Sequence, residues 1–286
     1  MRRTTISLAV LTCLTALIVV AGAQTAAARP HTRTAVRSGA NEVVVARGQP
    51  VEFAFTADTT QGDPFSAFTA SAENAIRMAI ERHPTIRGFP IQMNTVETLC
   101  LDGDNTASAE TIVGNPQNIA VLGNLCSAAY QNALPIYQAA GLVAISGSAS
   151  ASYLPPLGPT VFNRTIVVSD AAGDAGDKWL SQISTLPSVL QWDVEYTAEF
   201  GGAPALSPLP ALYFDAASLL ITRLQQTSQL VNGHLVIDRA ALASAVRNTT
   251  SYQGITCTIT LDPTTGNRVN DPAALTRCAT AEVHRH

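Results

Sequence analysis

The sequence predicts an α/β fold built on a doubly wound parallel sheet. Two observations carry this. Short apolar runs such as NIAVLGNL (118–125) and LVAIS (142–146) alternate with segments whose apolar residues recur every three or four positions. The runs are also continuous rather than alternating, as in strands covered on both faces. With 286 residues, 47% of them hydrophobic, the chain is long and apolar enough to bury a sizeable core.

The elements follow in order. VEFAFT (51–56) reads as the first buried strand, and the polar stretch ADTTQGDPF as its loop. Residues 66–82 have helical spacing, with Phe68, Ala72, Ala75, Ile76, Ala79 and Ile80 on one face and Pro84 as the stop. PIQMNTVET (90–98) is the second strand, 106–113 a short helix and 118–125 an apolar strand. Residues 127–140 form a helix with Ser127 as N-cap and Gly141 just past its end. Strands at 142–146 and 160–167 follow, then a helical stretch near 171–183. Prolines 187, 204, 208 and 210 mark 186–210 as an irregular connection. A strong helix covers 212–226, and a second covers 238–247 with Asp238 as N-cap. CTITL (257–261) alternates as a strand, DPTTGN is its turn, and the last residues are polar and frayed.

The first 28 residues read as a cleaved secretory signal. Arg2 and Arg3 precede the apolar run Leu8 to Val20, and AGA and AAA are candidate cleavage sites. Uncleaved anchoring is the alternative. Cys13 lies too early and after a poor residue for lipidation. Residues 29–45 read as a flexible leader. Export places the mature protein outside the cytoplasm, secreted or periplasmic. There the four remaining cysteines, Cys100, Cys126, Cys257 and Cys278, form disulfides. Three pairings exist; the sequential one, Cys100–Cys126 with Cys257–Cys278, closes two short loops and is preferred.

Charged residues make up 13% of the chain, the net charge is −4 and no like-charge block occurs, which argues against a nucleic-acid partner. Lys178 is the sole lysine. The motifs of hydrolases, zinc proteases and nucleotide-binding enzymes are missing, so no catalytic residue and no cofactor is expected. GDAGDK (173–178) has the wrong spacing for a phosphate loop. Asp102 and Asp104 open like a calcium loop, but the required Gly and Glu do not follow, so a surface acidic turn is the better reading. The five histidines are scattered, and no metal site is expected.

From Asn118 onward the chain resembles a known family. NIAVLGNLCSAAYQNALPIYQAAGLVAISGSAS is similar to the matching stretch of leucine/isoleucine/valine-binding proteins, periplasmic binding proteins of type I. ETLCLDGDN, VFNRTIVVSDAAGDAGDKWL, YFDAASLLITRL and YQGITCTITLDPTTGNR resemble further family segments in family order, from about Val51 to Arg268. The resemblance implies the Cys100–Cys126 disulfide, a branched-chain amino acid or similar small ligand, and a membrane ABC permease as partner. It also implies a departure. The family's second lobe falls between the segments near 175–184 and 194–202, where this chain has almost nothing. The expectation is one largely complete lobe (46–185), the connection 186–210, and a C-terminal part (211–286) that completes the lobe, with the second lobe truncated. A second copy of the chain is a further candidate partner, for the face so exposed.

Ligands of open α/β sheets sit at the carboxyl ends of the strands, where helix N-termini favour anions. Ser127 follows one strand and opens a helix, so its N–H and hydroxyl suit a carboxylate. By the resemblance, Ala149 supplies a backbone carbonyl and Ser150 a hydroxyl toward the ligand. Ala128 and Ser148 are second choices, and Phe65 or Phe68 would line the mouth. The plainer reading makes Ser127 only a helix cap and the serines of 146–152 only loop residues.

Overall fold

The computed structural model describes residues 41–60, 65–100 and 104–280. The expected signal segment with Cys13, residues 29–40 of the expected leader, Asp102 and the last six residues lie outside them. The elements are β1 (Glu42–Val45), β2 (Val51–Ala57), α1 (Phe65–Arg82), β3 (Thr85–Ile86), β4 (Phe89–Glu97), α2 (Thr106–Gly114), β5 (Asn118–Leu122), α3 (Ser127–Ala139), β6 (Val143–Ser146) and β7 (Phe162–Arg164). After them come α4 (Ala175–Ile183), α5 (Pro187–Phe200), α6 (Leu209–Thr227), β8 (Gln229–Val231), β9 (His234–Asp238), α7 (Arg239–Arg247), β10 (Tyr252–Gly254), β11 (Cys257–Ile259) and α8 (Pro272–Thr280).

Six strands form the main sheet in the order β3-β4-β2-β5-β6-β7. All neighbours are parallel except β3, which turns back on β4. The chain steps from β2 to β4 on one side, then returns to add β5, β6 and β7 on the other. This reversal is the topological switch of a doubly wound fold, at the β2/β5 boundary.

Alternation along each strand divides the core between two faces. Phe53 and Phe55 of β2, Leu122 of β5 and Ile145 of β6 pack on one face with Ala72, Ile76, Leu212 and Leu220 of α1 and α6. Ala54, Val121 and Ala144 point to the other face, against Ile112 of α2 and Tyr130, Leu134 and Tyr137 of α3. The runs NIAVL and VAIS are buried at every position, which is why they lack a two-residue alternation of polarity.

Two expectations are corrected. Residues 42–45 are not leader: β1 pairs antiparallel with β9, setting Val43 opposite Ile237 and Val45 opposite Leu235, all buried. The connection 186–210 is not irregular throughout. α5 fills most of it, because Pro187 sits in the first turn, where it has no helical N–H bond to lose, and Gly201 (φ 76°) closes the far end. Val189, Trp192 and Tyr196, at helical spacing, bury its inner face. Cys100–Cys126 and Cys257–Cys278 are disulfides with Cα separations of 5.3 and 5.7 Å, the second tying α8 to β11. Among the described residues, no helix is long and apolar enough to cross a membrane.

Candidate functional site

The expected ligand residues gather at the carboxyl ends of β5 and β6, beside the switch point. The turn after β5 runs from Gly123 to Cys126, where extended backbone (φ −110°, ψ 144°) opens α3. Cys126 therefore holds the cap position assigned to Ser127, and Ser127 is the first helical residue. Its hydroxyl does not cap its own helix but accepts from the Ala151 N–H at 3.1 Å, across to the loop after β6. The disulfide to Cys100 pins the start of α3 to the loop after β4. In turn, the Asp58 carboxylate accepts from Cys100 N–H at 2.8 Å. Ser127 is half-buried and Ala128 exposed, on the first turn, whose N–H groups lack carbonyl partners within the helix.

The loop 147–152 is held from below and from one side. Ser146 Oγ accepts from the N–H groups of Ser148 (3.2 Å) and Ala149 (3.0 Å) and donates to Asn124 O at 2.9 Å. Ser148 Oγ donates to Leu125 O and meets Tyr213 Oη at 2.9 Å. Ser150 donates through Oγ to Ser169 O at 2.9 Å and accepts from the Ser169 N–H at 3.1 Å. Ser152 N–H donates to Asp170 Oδ1 at 2.8 Å. Ala149 is buried, and its carbonyl takes Arg164 Nη1 at 3.0 Å; Ala151 O takes the same atom at 2.9 Å.

The structure thus brings Ser127 and the 148–152 loop together, but gives the polar groups of Ser127, Ser148, Ala149 and Ser150 partners within the chain. A hydroxyl that accepts one bond keeps its own proton to donate, so Ser127 retains a donor beside the unsatisfied N–H groups of the α3 turn. Phe68 does not line a mouth. It is buried against Tyr213, with centroids 6.2 Å apart, and Phe65 is half-buried.

Three residues escaped the sequence reading. Tyr213 of α6 lies against Gly147, where any Cβ would come within 2.7 Å of its ring. Burial pushes its phenol up to about 12 despite bonds from Ser146 and Ser148. Tyr130, fully buried, is also raised well above the usual phenol value, by desolvation and by the neighbouring Tyr213. Arg164 ends β7, fully buried, with Nε on Asn267 Oδ1 at 2.9 Å. Burial lowers its guanidinium to about 10, and Asp170 opposes the shift. The one available signal was Arg164 inside the expected strand 160–167, since a buried arginine must find acceptors.

Asp104 is an exposed acid accepting from Thr106 N–H at 3.0 Å, as a surface turn would place it. Among the described residues, no group of three or more His, Cys, Asp or Glu could hold a metal ion.

This architecture has close parallels among solved structures. A leucine-binding protein from Thermotoga maritima superposes with TM-score 0.59 at 14% identity, covering 76% of this chain and 93% of its own. An ABC transporter substrate-binding protein from Desulfitobacterium hafniense in complex with Leu gives 0.60 at 14%, covering 78% and 96%. A solute-binding protein from Rhodopseudomonas palustris in complex with 3,4-dihydroxybenzoic acid gives 0.61 at 14%, covering 77% and 91%. The fold is that of the type I periplasmic binding proteins. At this identity, the likeness establishes the type I architecture alone. No family model and no curated protein matches the chain. Within the type I fold, Ser127 and the 147–152 loop stand at strand carboxyl ends, where open α/β sheets take their ligands.

Proposed function

We propose that this chain is an exported, non-catalytic solute receptor that binds a branched-chain amino acid or a similar small carboxylate and presents it to an ABC permease. The site comprises Ser127, Ala128, Ser148, Ala149 and Ser150. The observation that carries this reading is the bond from Ala151 N–H to Ser127 Oγ, which joins the loops after β5 and β6 at the N-terminus of α3. An anion placed there meets unsatisfied N–H groups and the positive end of the helix dipole. The type I neighbours, one in complex with Leu and one with 3,4-dihydroxybenzoic acid, support the ligand class. Their role in ABC import and the leader of the sequence support the extracytoplasmic setting. The one six-stranded sheet, beside smaller sheets of two and three strands among the described residues, supports the reading of one largely complete lobe with a truncated second.

The test is a thermal-shift screen with leucine, isoleucine, valine and small carboxylates on the mature protein. A ligand at about one hundred times its Kd stabilises the native state by about 2.7 kcal/mol. Ser127→Ala should weaken the active ligand about tenfold, the loss of one hydrogen bond to a charged group. A flat response to every compound overturns the receptor.

A second reading is a protein-interaction module. It is favoured by exposed Leu190 and Val194, one turn apart on α5, and by exposed Leu206. Ser207 Oγ, which donates to Asp193 at 3.0 Å, holds Leu206 near that helix. Sedimentation of a strictly monomeric species would count against it.

A further inference from the structure

A second cleft lies away from the rim where Ser127 lies. It opens at the amino ends of β6 and β7, with a volume of about 440 Å³. Pro159 and Val161, just before β7, form one wall; Ala243 and Ser244 of α7 form a second, and Pro263 a third. Val161 and Ala243 are buried, so the floor is apolar. The size falls in the range of small-molecule sites, which pair apolar walls with a few converging polar groups.

The converging polar group is Arg247. Arg247 lines the cleft and is 5% exposed. Nε donates to Asn163 Oδ1 at 2.9 Å, Nη1 to the carbonyls of Pro159 (2.9 Å) and Thr264 (3.2 Å), and Nη2 to Phe162 O at 2.5 Å. Gly266 has no side chain because a Cβ there would lie 3.0 Å from the guanidinium carbon and 2.1 Å from Phe162 O. These partners are neutral. They orient the cation without cancelling its charge. The three ion pairs among the described residues do not include Arg247. Asp262 is the acid whose charge acts on it, without forming an ion pair, and its carboxylate accepts from Thr264 N–H (2.8 Å) and Thr265 N–H (2.9 Å). The four bonds of the guanidinium leave one Nη2 proton uncommitted. A buried guanidinium whose direct partners are all neutral, with Asp262 acting on it without an ion pair, gains from an anion at its free N–H.

We infer that this basal cleft is a second binding site, for a compact monocarboxylate with an apolar body: the apolar part against Pro159, Val161 and Ala243, the carboxylate toward Arg247. It is independent of the rim site, because it lies at the other ends of the strands and shares no residue with it.

The experiment is a titration of the ¹⁵N-labelled mature protein with benzoate and with 4-methylpentanoate, followed by amide shifts. Benzamide serves as the neutral control. Saturable shifts at Gly141, Val161 and Ala243 are expected with both acids. Benzamide should bind about tenfold more weakly or worse, the factor one charge-assisted hydrogen bond is worth. Ser244→Trp fills the cleft from an exposed helical position and should abolish the shifts. Arg247→Gln should weaken the acids to the level of benzamide; should that variant fail to fold, the Ser244→Trp result decides. Ser127→Ala should leave this binding unchanged, so failure of the rim receptor and failure of the basal site are read separately. Shifts confined to residues 127–152, equal binding of benzamide, or no saturation by about 10 mM ligand would each overturn the basal site.

Discussion

Asp174 shows how one short side chain can organise a junction. It precedes α4 and accepts from Asp177 N–H at 2.8 Å and from Asp170 N–H at 2.9 Å, with Ala171 N–H and Ser169 Oγ beside them. The Asp177 N–H bond is the first cause holding its carboxyl far below the usual carboxylate range, followed by the Asp170 N–H bond. The carboxylate is therefore favoured by the fold. Its contribution is fully present above the ordinary aspartate value of 3.8 and is lost as pH falls toward the depressed folded value. Asp174→Asn should melt earlier than the parent at pH 7, with a gap that narrows steadily from pH ~4 to pH ~2. A gap that stays constant across that range would show that geometry, not charge, is what the side chain supplies. Asp215 has the opposite sign. It is wholly buried, and desolvation raises its carboxyl even though Thr256 and Ile255 donate to it. The role of Asp215 was not readable from the sequence, since the N–H groups of Ile255 and Thr256 come from about forty residues away; the partners of Asp174 are all local, and that cap was overlooked.

At the scale of the element, capping and spacing were the legible signals. Asp238 reads as a cap from sequence, and its Oδ1 accepts from Ala240 N–H and Ala241 N–H at 2.8 and 3.1 Å. Asp238→Ala should cost about 1 kcal/mol in urea unfolding, with the m-value unchanged. No change in midpoint would mean that the β9 hairpin alone fixes the start of α7. Ser127 has the residue type of a cap but is the first helical residue, because Cys126, held by its disulfide, takes the extended turn. α5 was hidden by counting prolines as breaks, though Pro187 opens the helix instead of ending it. β8 and β9 were missed altogether. QLVNGHLVID contains an Asn-Gly turn between apolar residues, a hairpin signal that was overlooked.

For the whole molecule, the doubly wound parallel sheet was legible because its strands are apolar throughout, a pattern that survives without any partner in view. The candidate rim was legible only through the resemblance to a family. Arg164, Tyr213 and the basal cleft were not, since they join segments up to about a hundred residues apart: Arg164 bonds Asn267, and Arg247 bonds Asn163. The C-terminal region depends on such long-range links. Cys257–Cys278 spans 21 residues and fastens α8. Replacing both cysteines by serine should lower stability by about 2–4 kcal/mol. It should also speed amide exchange in α8 before the main sheet responds. Uniform loss of protection across β2, β5 and β6 would instead show that the latch holds the entire fold.

The turn 262–268 has one more effect. Gly266 O accepts the Arg164 N–H at 3.1 Å, so the outer margin of β7 already carries a backbone partner from its own chain. A strand arriving from another molecule meets that margin dressed rather than bare. On this side, an incoming strand would find the Arg164 N–H already taken, so simple edge-to-edge hydrogen bonding is disfavoured there.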